Sequence, residues 1–143
     1  MKHERYVGFE IKALSNLLRR RLWGSTDHPH GVLTEIEGVL IGYLCHSQDR
    51  EVYQKDLERA LCIRSSTASR LLTRLEEQGL IQRSLGTKDA RMKRITPTPR
   101  AQALNEEAER RIAETEASLT RGIPPDEIEQ FLATAEKLKR NLI

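Results

Sequence analysis

The middle of the chain carries apolar residues at the spacing of one helix face. Four of them recur at i, i+3, i+4 and i+7 and so line one side of a helix: Ala68, Leu71, Leu72 and Leu75. The other side opens with small hydroxyl residues and then presents Arg70 and Arg74 about one turn apart. Because ordinary surface helices carry long mixed charges there, this pattern predicts a helix slim enough to enter a groove about 12 Å wide.

The same periodicity predicts five further helices, at residues 5–23, 34–47, 54–61, 100–119 and 126–142. Thr34 is the predicted N-cap of the second helix, and Glu37 three residues later completes a capping box. The short third helix ends in a tight turn at 62–64, after which Ser65 is the predicted N-cap of the central helix. Two helices joined in this way form a helix-turn-helix unit.

A short hairpin is predicted directly after the central helix. Gly79 ends that helix, residues 80–84 switch to a strand, and residues 86–90 contain turn formers. Residues 92–96 return antiparallel to the first strand, and the two prolines that follow suit a helix start. Residues 52–53 are candidates for one short bridging strand. The predicted fold class is therefore mainly α with a small β-hairpin wing, a winged helix-turn-helix flanked by helices at both ends of the chain.

The charge distribution favours a polyanionic partner. The chain of 143 residues has a formal net charge of only +3. Between Arg64 and Arg100, however, nine basic residues stand against three acidic ones, so this segment has an excess of six positive charges. A polyanion is therefore expected to bind the middle of the chain. The content of 38% apolar and 31% charged residues is polar for a compact monomer, which suggests either long helices with solvated outer faces or a core shared with a second copy.

Other classes of function find little support in the residues. No apolar leader and no run of roughly 18 apolar residues is visible, so we expect a cytoplasmic protein with no membrane partner. No nucleophile-and-base set, phosphate-binding glycine loop or nucleotide motif appears, so we expect neither an enzyme nor a cofactor. His28 and His30 lie in a loop that offers too few fixed ligands for zinc, and no metal is expected. Cys45 and Cys62 lack a CxxC spacing and are expected to be packed thiols.

Two segments carry a resemblance to a known family. The first is STASRLLTRLEEQGLIQR at residues 66–83, and the second is DARMKRIT at residues 89–96. They resemble the recognition helix and the Asp-x-Arg wing signature of the MarR family of bacterial winged-helix repressors, whose element order the whole chain follows. The sequence departs from the family at Pro99 and at Cys62, each near a place where the family often has glycine. A positive φ at Cys62 would cost on the order of 1 kcal/mol.

The resemblance implies a homodimer whose first and last helices interlock. Its two recognition helices would contact half-sites about one helical turn apart on a pseudo-palindrome of double-stranded DNA. We expect one domain over residues 1–143, with a DNA-binding lobe at about 34–98 and dimerisation helices at about 5–23 and 100–142. The expected function is repression that responds to a small-molecule effector, bound in the crevice between the dimer helices and the DNA-binding lobe.

The candidate DNA contacts lie in the central helix and the wing. Hydroxyl residues at the start of the helix are expected at phosphates and base edges, and Arg70 at a guanine. Arg74 is expected at a phosphate or in a salt bridge, and Arg91, oriented by Asp89, in a narrow minor groove. The full set is Ser65, Ser66, Thr67, Ser69, Arg70, Arg74, Lys88, Asp89, Arg91, Lys93 and Arg94.

Two alternative functions remain open on the sequence alone. A winged-helix module for protein association would dock an acidic partner on the basic segment and bind DNA without sequence preference. A thiol-redox-sensing member of the same family would use Cys45 or Cys62, although the first helix, where oxidant-sensing members often carry their reactive cysteine, has none. The choice between repressor and activator is also open.

Overall fold

The computed structural model describes residues 5–23, 33–88 and 91–143. Within these ranges the chain forms six helices and a two-stranded antiparallel sheet, which confirms the predicted fold class. The helix bounds agree with the predicted ranges to within two residues. In chain order the elements are α1 (Val7–Trp23), α2 (Glu35–Cys45), α3 (Gln54–Leu61), α4 (Ser65–Glu77), β1 (Ile81–Leu85), β2 (Lys93–Pro97), α5 (Pro99–Thr120) and α6 (Pro125–Leu142).

The core is built around α2, whose centre is almost entirely apolar. Leu40, Ile41 and Leu44 of α2 are buried in one cluster with Leu57 of α3. The predicted inner face of α4 is buried as well, and so are side chains of the hairpin and the start of α5, among them Leu80, Ile81, Ile95 and Ala101. Burying one such aliphatic side chain contributes about 1.5–3 kcal/mol, so these contacts fix the rotation of α4 about its axis.

Helix α4 has a different N-cap from the one predicted. Arg64 has an extended backbone with φ −75° and ψ 154°, and its carbonyl accepts a hydrogen bond from the Ala68 amide at 2.9 Å. Arg64 is therefore the N-cap and Ser65 is the first helical residue, so the prediction for Ser65 was wrong. The reason lies in the turn, because Cys62 adopts the left-handed conformation with φ 54° and brings the chain to the helix one residue sooner.

The other end of α4 follows the prediction. Gly79 has φ 72°, which only glycine adopts without steric cost. Its amide donates to the Glu76 carbonyl at 3.0 Å, and the Leu80 amide donates to the Leu75 carbonyl at 2.9 Å. This pair of hydrogen bonds is a Schellman motif, which ends the helix and turns the chain into β1.

The hairpin starts and ends one residue later than predicted. Ile81 is paired with Pro97, the last residue of β2, where an edge strand tolerates the missing proline amide hydrogen. Residues 52 and 53 do not form a strand. The Val52 carbonyl nevertheless accepts a hydrogen bond from the Ile95 amide at 2.8 Å, which ties the hairpin to the segment before α3.

The terminal helices leave apolar surface exposed. None of the α1 or α6 side chains that the structure describes is buried. The exposed apolar residues include Phe9, Ile11, Leu14 and Leu17 on α1, and Phe131 and Leu132 on α6. In the described ranges no helix has the length and apolar character needed to cross a membrane. These faces are thus open to contact with another surface.

Replacing Leu72 with alanine is expected to lower the free energy of unfolding by about 2–5 kcal/mol, because a cavity replaces a fully buried side chain. Leu85→Ala is the matched control, since it removes the same atoms from a hairpin residue that is 73% exposed. That variant should change the free energy by no more than about 0.5 kcal/mol. Urea denaturation followed by circular dichroism measures both, and equal losses would contradict this assignment of the core.

Candidate nucleic-acid interface

The outward face of α4 presents the residues that the sequence assigned to DNA. Ser65, Ser66, Ser69 and Arg70 are exposed, and Thr67 is half-buried. They share one side of the helix because Ala68 and its apolar partners occupy the other. The first turn also carries backbone amides without helical partners, which suit an anion such as a phosphate.

Arg74 lies in an ion pair with a buried carboxylate. Its Nη2 is 3.3 Å from Oε1 of Glu37, whose side chain is only 1% exposed. The same Oε1 accepts a hydrogen bond from the Thr34 hydroxyl at 2.9 Å. Of the two roles predicted for Arg74, the structure thus shows the salt bridge.

The burial of Glu37 was not predicted. Thr34 caps α2 as expected by accepting from the Glu37 amide at 3.4 Å, but the Glu37 carboxylate lies inside the fold and bonds the Thr34 hydroxyl. The signal was present in the sequence, because Glu37 precedes Leu40, Ile41 and Leu44 by three, four and seven residues and so shares their buried face. Its Oε2 has no hydrogen-bond partner among the residues that the structure describes.

Helix α4 is also tied to the hairpin and to α5. Arg83 of β1 donates to Glu76 Oε2 at 3.3 Å and to the Thr73 hydroxyl at 3.4 Å. At the end of α4, the Arg100 guanidinium donates to the Gln78 carbonyl at 2.6 Å, and the Thr98 hydroxyl donates to the Gly79 carbonyl at 2.8 Å. None of these contacts was predicted from the sequence, and together they set the angle between α4 and its neighbours.

The basic residues of the wing differ in their exposure to solvent. Lys88, Arg91 and Lys93 are exposed, whereas Arg94 is half-buried and its Nε is buried. Asp89 lies outside the described residues, and with it the predicted pairing of Asp89 with Arg91. The exposed cations of the hairpin are therefore Lys88, Arg91 and Lys93 over the part that the structure describes.

One carboxylate joins the wing to the segment before α3. Glu51 Oε2 accepts hydrogen bonds from the Tyr53 phenol at 2.7 Å and from the Thr87 hydroxyl at 2.8 Å. The Thr87 amide donates to Glu51 Oε1 at 3.3 Å. The Tyr53 hydrogen bond, followed by that of Thr87, lowers the pKa of Glu51, and the bond to Glu51 raises the pKa of Tyr53.

These pKa shifts determine the pH range of the contact. Because the folded-state pKa of Glu51 is lowered, its hydrogen bonds add stability fully above the ordinary glutamate pKa of about 4.3. That contribution is lost as the pH falls through the lowered pKa of the folded state. At neutral pH the carboxylate is charged and accepts, while the phenol keeps its proton and donates.

Comparison with known proteins agrees with this geometry. The sequence model of the MarR family matches residues 43–93, from α2 to the start of β2. The structure of the S. aureus MepR–DNA complex is similar, with a TM-score of 0.85 and 25% sequence identity over 99% of this chain and 100% of that one. S. aureus MepR in a DNA-binding conformation has a TM-score of 0.86 and 26% identity over 96% and 99% of the two chains. The chain is thus similar to the MarR family in sequence over residues 43–93 and to MarR-family regulators in fold over nearly its whole length.

A second member gives the same result. The transcription regulator MarR from Oenococcus oeni PSU-1 has a TM-score of 0.84 and 27% identity, over 94% of this chain and 99% of that one. The two segments that first suggested the MarR family lie almost wholly within the matched residues 43–93. The predicted resemblance to the MarR family is confirmed.

The thiols and histidines add no metal site in the described ranges, where no cluster of three or more candidate ligands occurs. His28 and His30 lie outside those ranges. His46 is 2.8 Å from Glu109 of α5. Burial raises the pKa of the Cys45 thiol, and the nearby Glu109 and Glu106 raise it further, which disfavours the reactive thiolate.

Arg74→Ala is expected to lower the free energy of unfolding by about 1–3 kcal/mol, because it removes the cation beside the buried carboxylate of Glu37. The matched control is Arg70→Ala, one turn away on the exposed face, which should change that free energy by no more than about 0.5 kcal/mol. Thermal and urea unfolding measure both variants. Equal stability of the two would show that the Glu37 pair contributes nothing to the fold.

Proposed function

We propose that this protein is a sequence-specific DNA-binding transcriptional regulator that acts as a homodimer. The observation that carries the proposal is the exposed hydroxyl-and-arginine face of α4 beside a basic hairpin. A helix with short side chains at its start fits the major groove, and an arginine on a hairpin fits the minor groove. The solved MepR–DNA complex supports the proposal, since it has the same fold over nearly the whole chain.

Some of the proposed contacts position the protein on the DNA backbone, and the others recognise the base sequence. Ser65 and Thr67 bond phosphates near the start of α4, while Ser66, Ser69 and Arg70 contact base edges. Arg74 acts through its ion pair with Glu37, which holds α4 against α2.

In the wing, Arg91 enters the minor groove with Asp89 orienting it, and the neighbouring cations bond phosphates. Exposure of Lys88 and Lys93 supports that role, whereas the half-buried Arg94 is the least accessible of the predicted phosphate contacts. Phosphate contacts of this kind fix the register of the protein on the duplex and make binding dependent on salt.

The exposed apolar faces of the terminal helices support the homodimer. Phe131 on α6 is 59% exposed and Leu17 on α1 is 58% exposed, which is unusual for large apolar side chains unless another surface covers them. We propose that two copies bury these faces together, with residues 1–143 forming one domain. The terminal helices then set the spacing of two DNA-binding lobes at about residues 34–98.

Ligand-responsive repression is the finer part of the proposal. Helix α1 contacts the lobe through an exposed ion pair, Arg19 with Glu35 at 3.0 Å, and contacts α5 through an exposed hydrogen bond, Arg21 with Ser118 at 3.3 Å. Such contacts contribute little each, so a small molecule bound in the crevice beside them can favour a different lobe spacing. A dimer that covers a pseudo-palindromic operator would repress until the effector binds.

Arg91→Ala is expected to weaken binding to a DNA sequence selected from a random pool by about 1–3 kcal/mol, roughly 5- to 150-fold in Kd, and to reduce the salt dependence. Fluorescence anisotropy over a salt series measures both effects. Lys137→Ala, which removes an exposed cation of α6 far along the chain from the wing, is the control and should leave Kd unchanged. Binding that is indifferent to sequence, with Ser66 and Ser69 dispensable, would instead favour a protein-association module.

Leu132→Asp is expected to convert a dimer into a monomer, because it places a charge in the proposed apolar contact of α6. Sedimentation equilibrium should give twice the 16.4 kDa chain mass for the wild type and the single-chain mass for this variant. Leu85→Asp makes the same change at an exposed residue of the hairpin and should stay dimeric. A wild-type protein of single-chain mass at micromolar concentration would refute the homodimer.

A further inference from the structure

The Glu51 carboxylate fastens the start of the wing loop, at Thr87, to the segment before α3. Thr87 lies 36 residues after Glu51, and both its amide and its hydroxyl donate to the Glu51 carboxylate, at 3.3 and 2.8 Å. One side chain thus satisfies two donors at the place where β1 ends and the wing loop begins. Hydrogen bonds to a charged acceptor are stronger than those between neutral groups.

Tyr53 supplies a second, independent restraint on the same place. A side chain at Gly86 would put its Cβ 2.6 Å from Cε1 and 2.7 Å from Cζ of the Tyr53 ring, closer than carbon atoms approach. The hairpin therefore packs directly on the ring with no room for a side chain. The Tyr53 amide in turn donates to Asp56 Oδ2 at 2.8 Å in the first turn of α3, so the backbone that carries the ring is held at the start of the helix-turn-helix.

The charge of Glu51 is unfavourable for binding DNA by itself. It is an ionised carboxylate bonded to Thr87 of the wing, and the nearby charge of Arg94 helps to keep it ionised. A negative charge there opposes the attraction between the hairpin and phosphates. Electrostatics alone therefore predicts that DNA affinity rises when this charge is removed.

We propose that Glu51 is a positioning residue for the wing, which sets the hairpin against α4 so that the recognition helix and Arg91 reach adjacent grooves together. The proposal rests on the proposed DNA-binding function. Glu51 touches the wing at Thr87 and acts on DNA through the residues that follow. The juxtaposition of Glu51, Tyr53, Gly86 and Thr87 carries the inference.

The direction in which one substitution changes DNA affinity distinguishes a positioning role of Glu51 from an effect of its charge. Glu51→Ala and Glu77→Ala each remove one negative charge, but only the first removes the hydrogen bonds to the wing, because Glu77 lies exposed at the end of α4. We expect Glu77→Ala to bind the selected DNA as tightly as the wild type or more tightly. Glu51→Ala should bind about tenfold more weakly despite the same gain in net charge.

The measurement is fluorescence anisotropy at fixed salt with the full-length dimer, together with hydrogen exchange of the free protein and thermal unfolding. Glu51→Ala should speed exchange at the Thr87 amide while leaving the α4 amides protected. In a double-mutant cycle, Glu51→Ala should cost much less than tenfold when Arg91 is already alanine, because the misplaced group is then absent. Thr87→Val, which keeps the charge and shape, should reproduce part of the loss.

The outcomes distinguish this inference from the function on which it rests. A wild-type protein without sequence-specific DNA binding overturns both. A wild type that binds specifically, with Glu51→Ala binding as well or better, overturns the positioning role and leaves the function intact. The positioning role is also overturned if the losses of DNA affinity in Glu51→Ala and Arg91→Ala are fully additive. It is overturned as well if Glu51→Ala removes the protection of the α4 amides from hydrogen exchange. In either case the effect would not act through the wing.

Discussion

The burial of one face of α4 in the cluster around α2 is the contact on which the rest of the structure depends. Leu72 and Leu75 have no exposed surface, so the helix cannot rotate without bringing hydrocarbon into water. That single constraint decides which residues face outward. The hydroxyls and Arg70 are presented on the surface because their neighbours along the helix are held inside.

Apolar burial has no direction of its own, and polar contacts supply the angles that it leaves free. The Arg74 and Glu37 pair ties α4 to α2, Arg83 ties it to β1, and Glu51 ties the hairpin to the segment before α3. The contact of Glu51 with Thr87 joins residues 36 positions apart, whereas Arg83 lies seven residues after Glu76. The candidate interface is therefore a set of exposed groups whose relative positions are determined by groups that lie behind or beside them.

This division explains what the sequence predicted and what it did not. Helical spacing is local, so it predicted six helices and the inner face of α4. Contacts such as Thr87 with Glu51 join residues 36 positions apart and leave no periodic trace. The Ser65 cap was wrong because the left-handed turn at Cys62 shortened the connection, which depends on one backbone angle. The burial of Glu37 could have been predicted from its spacing to the buried residues of α2. The same residue also fits a capping box, and only that role was predicted.

The two hydrogen bonds that join the end of α4 to the start of α5 also couple a tilt of α5 to a displacement of α4. Arg100 and Thr98 bond consecutive carbonyls, of Gln78 and Gly79, so the last turn of α4 moves with the first turn of α5. Helix α5 has 22 residues, and at 1.5 Å per residue it is about 33 Å long. A tilt of about five degrees about its distant end therefore shifts the end of α4 by about 3 Å, comparable to the spacing of neighbouring base pairs.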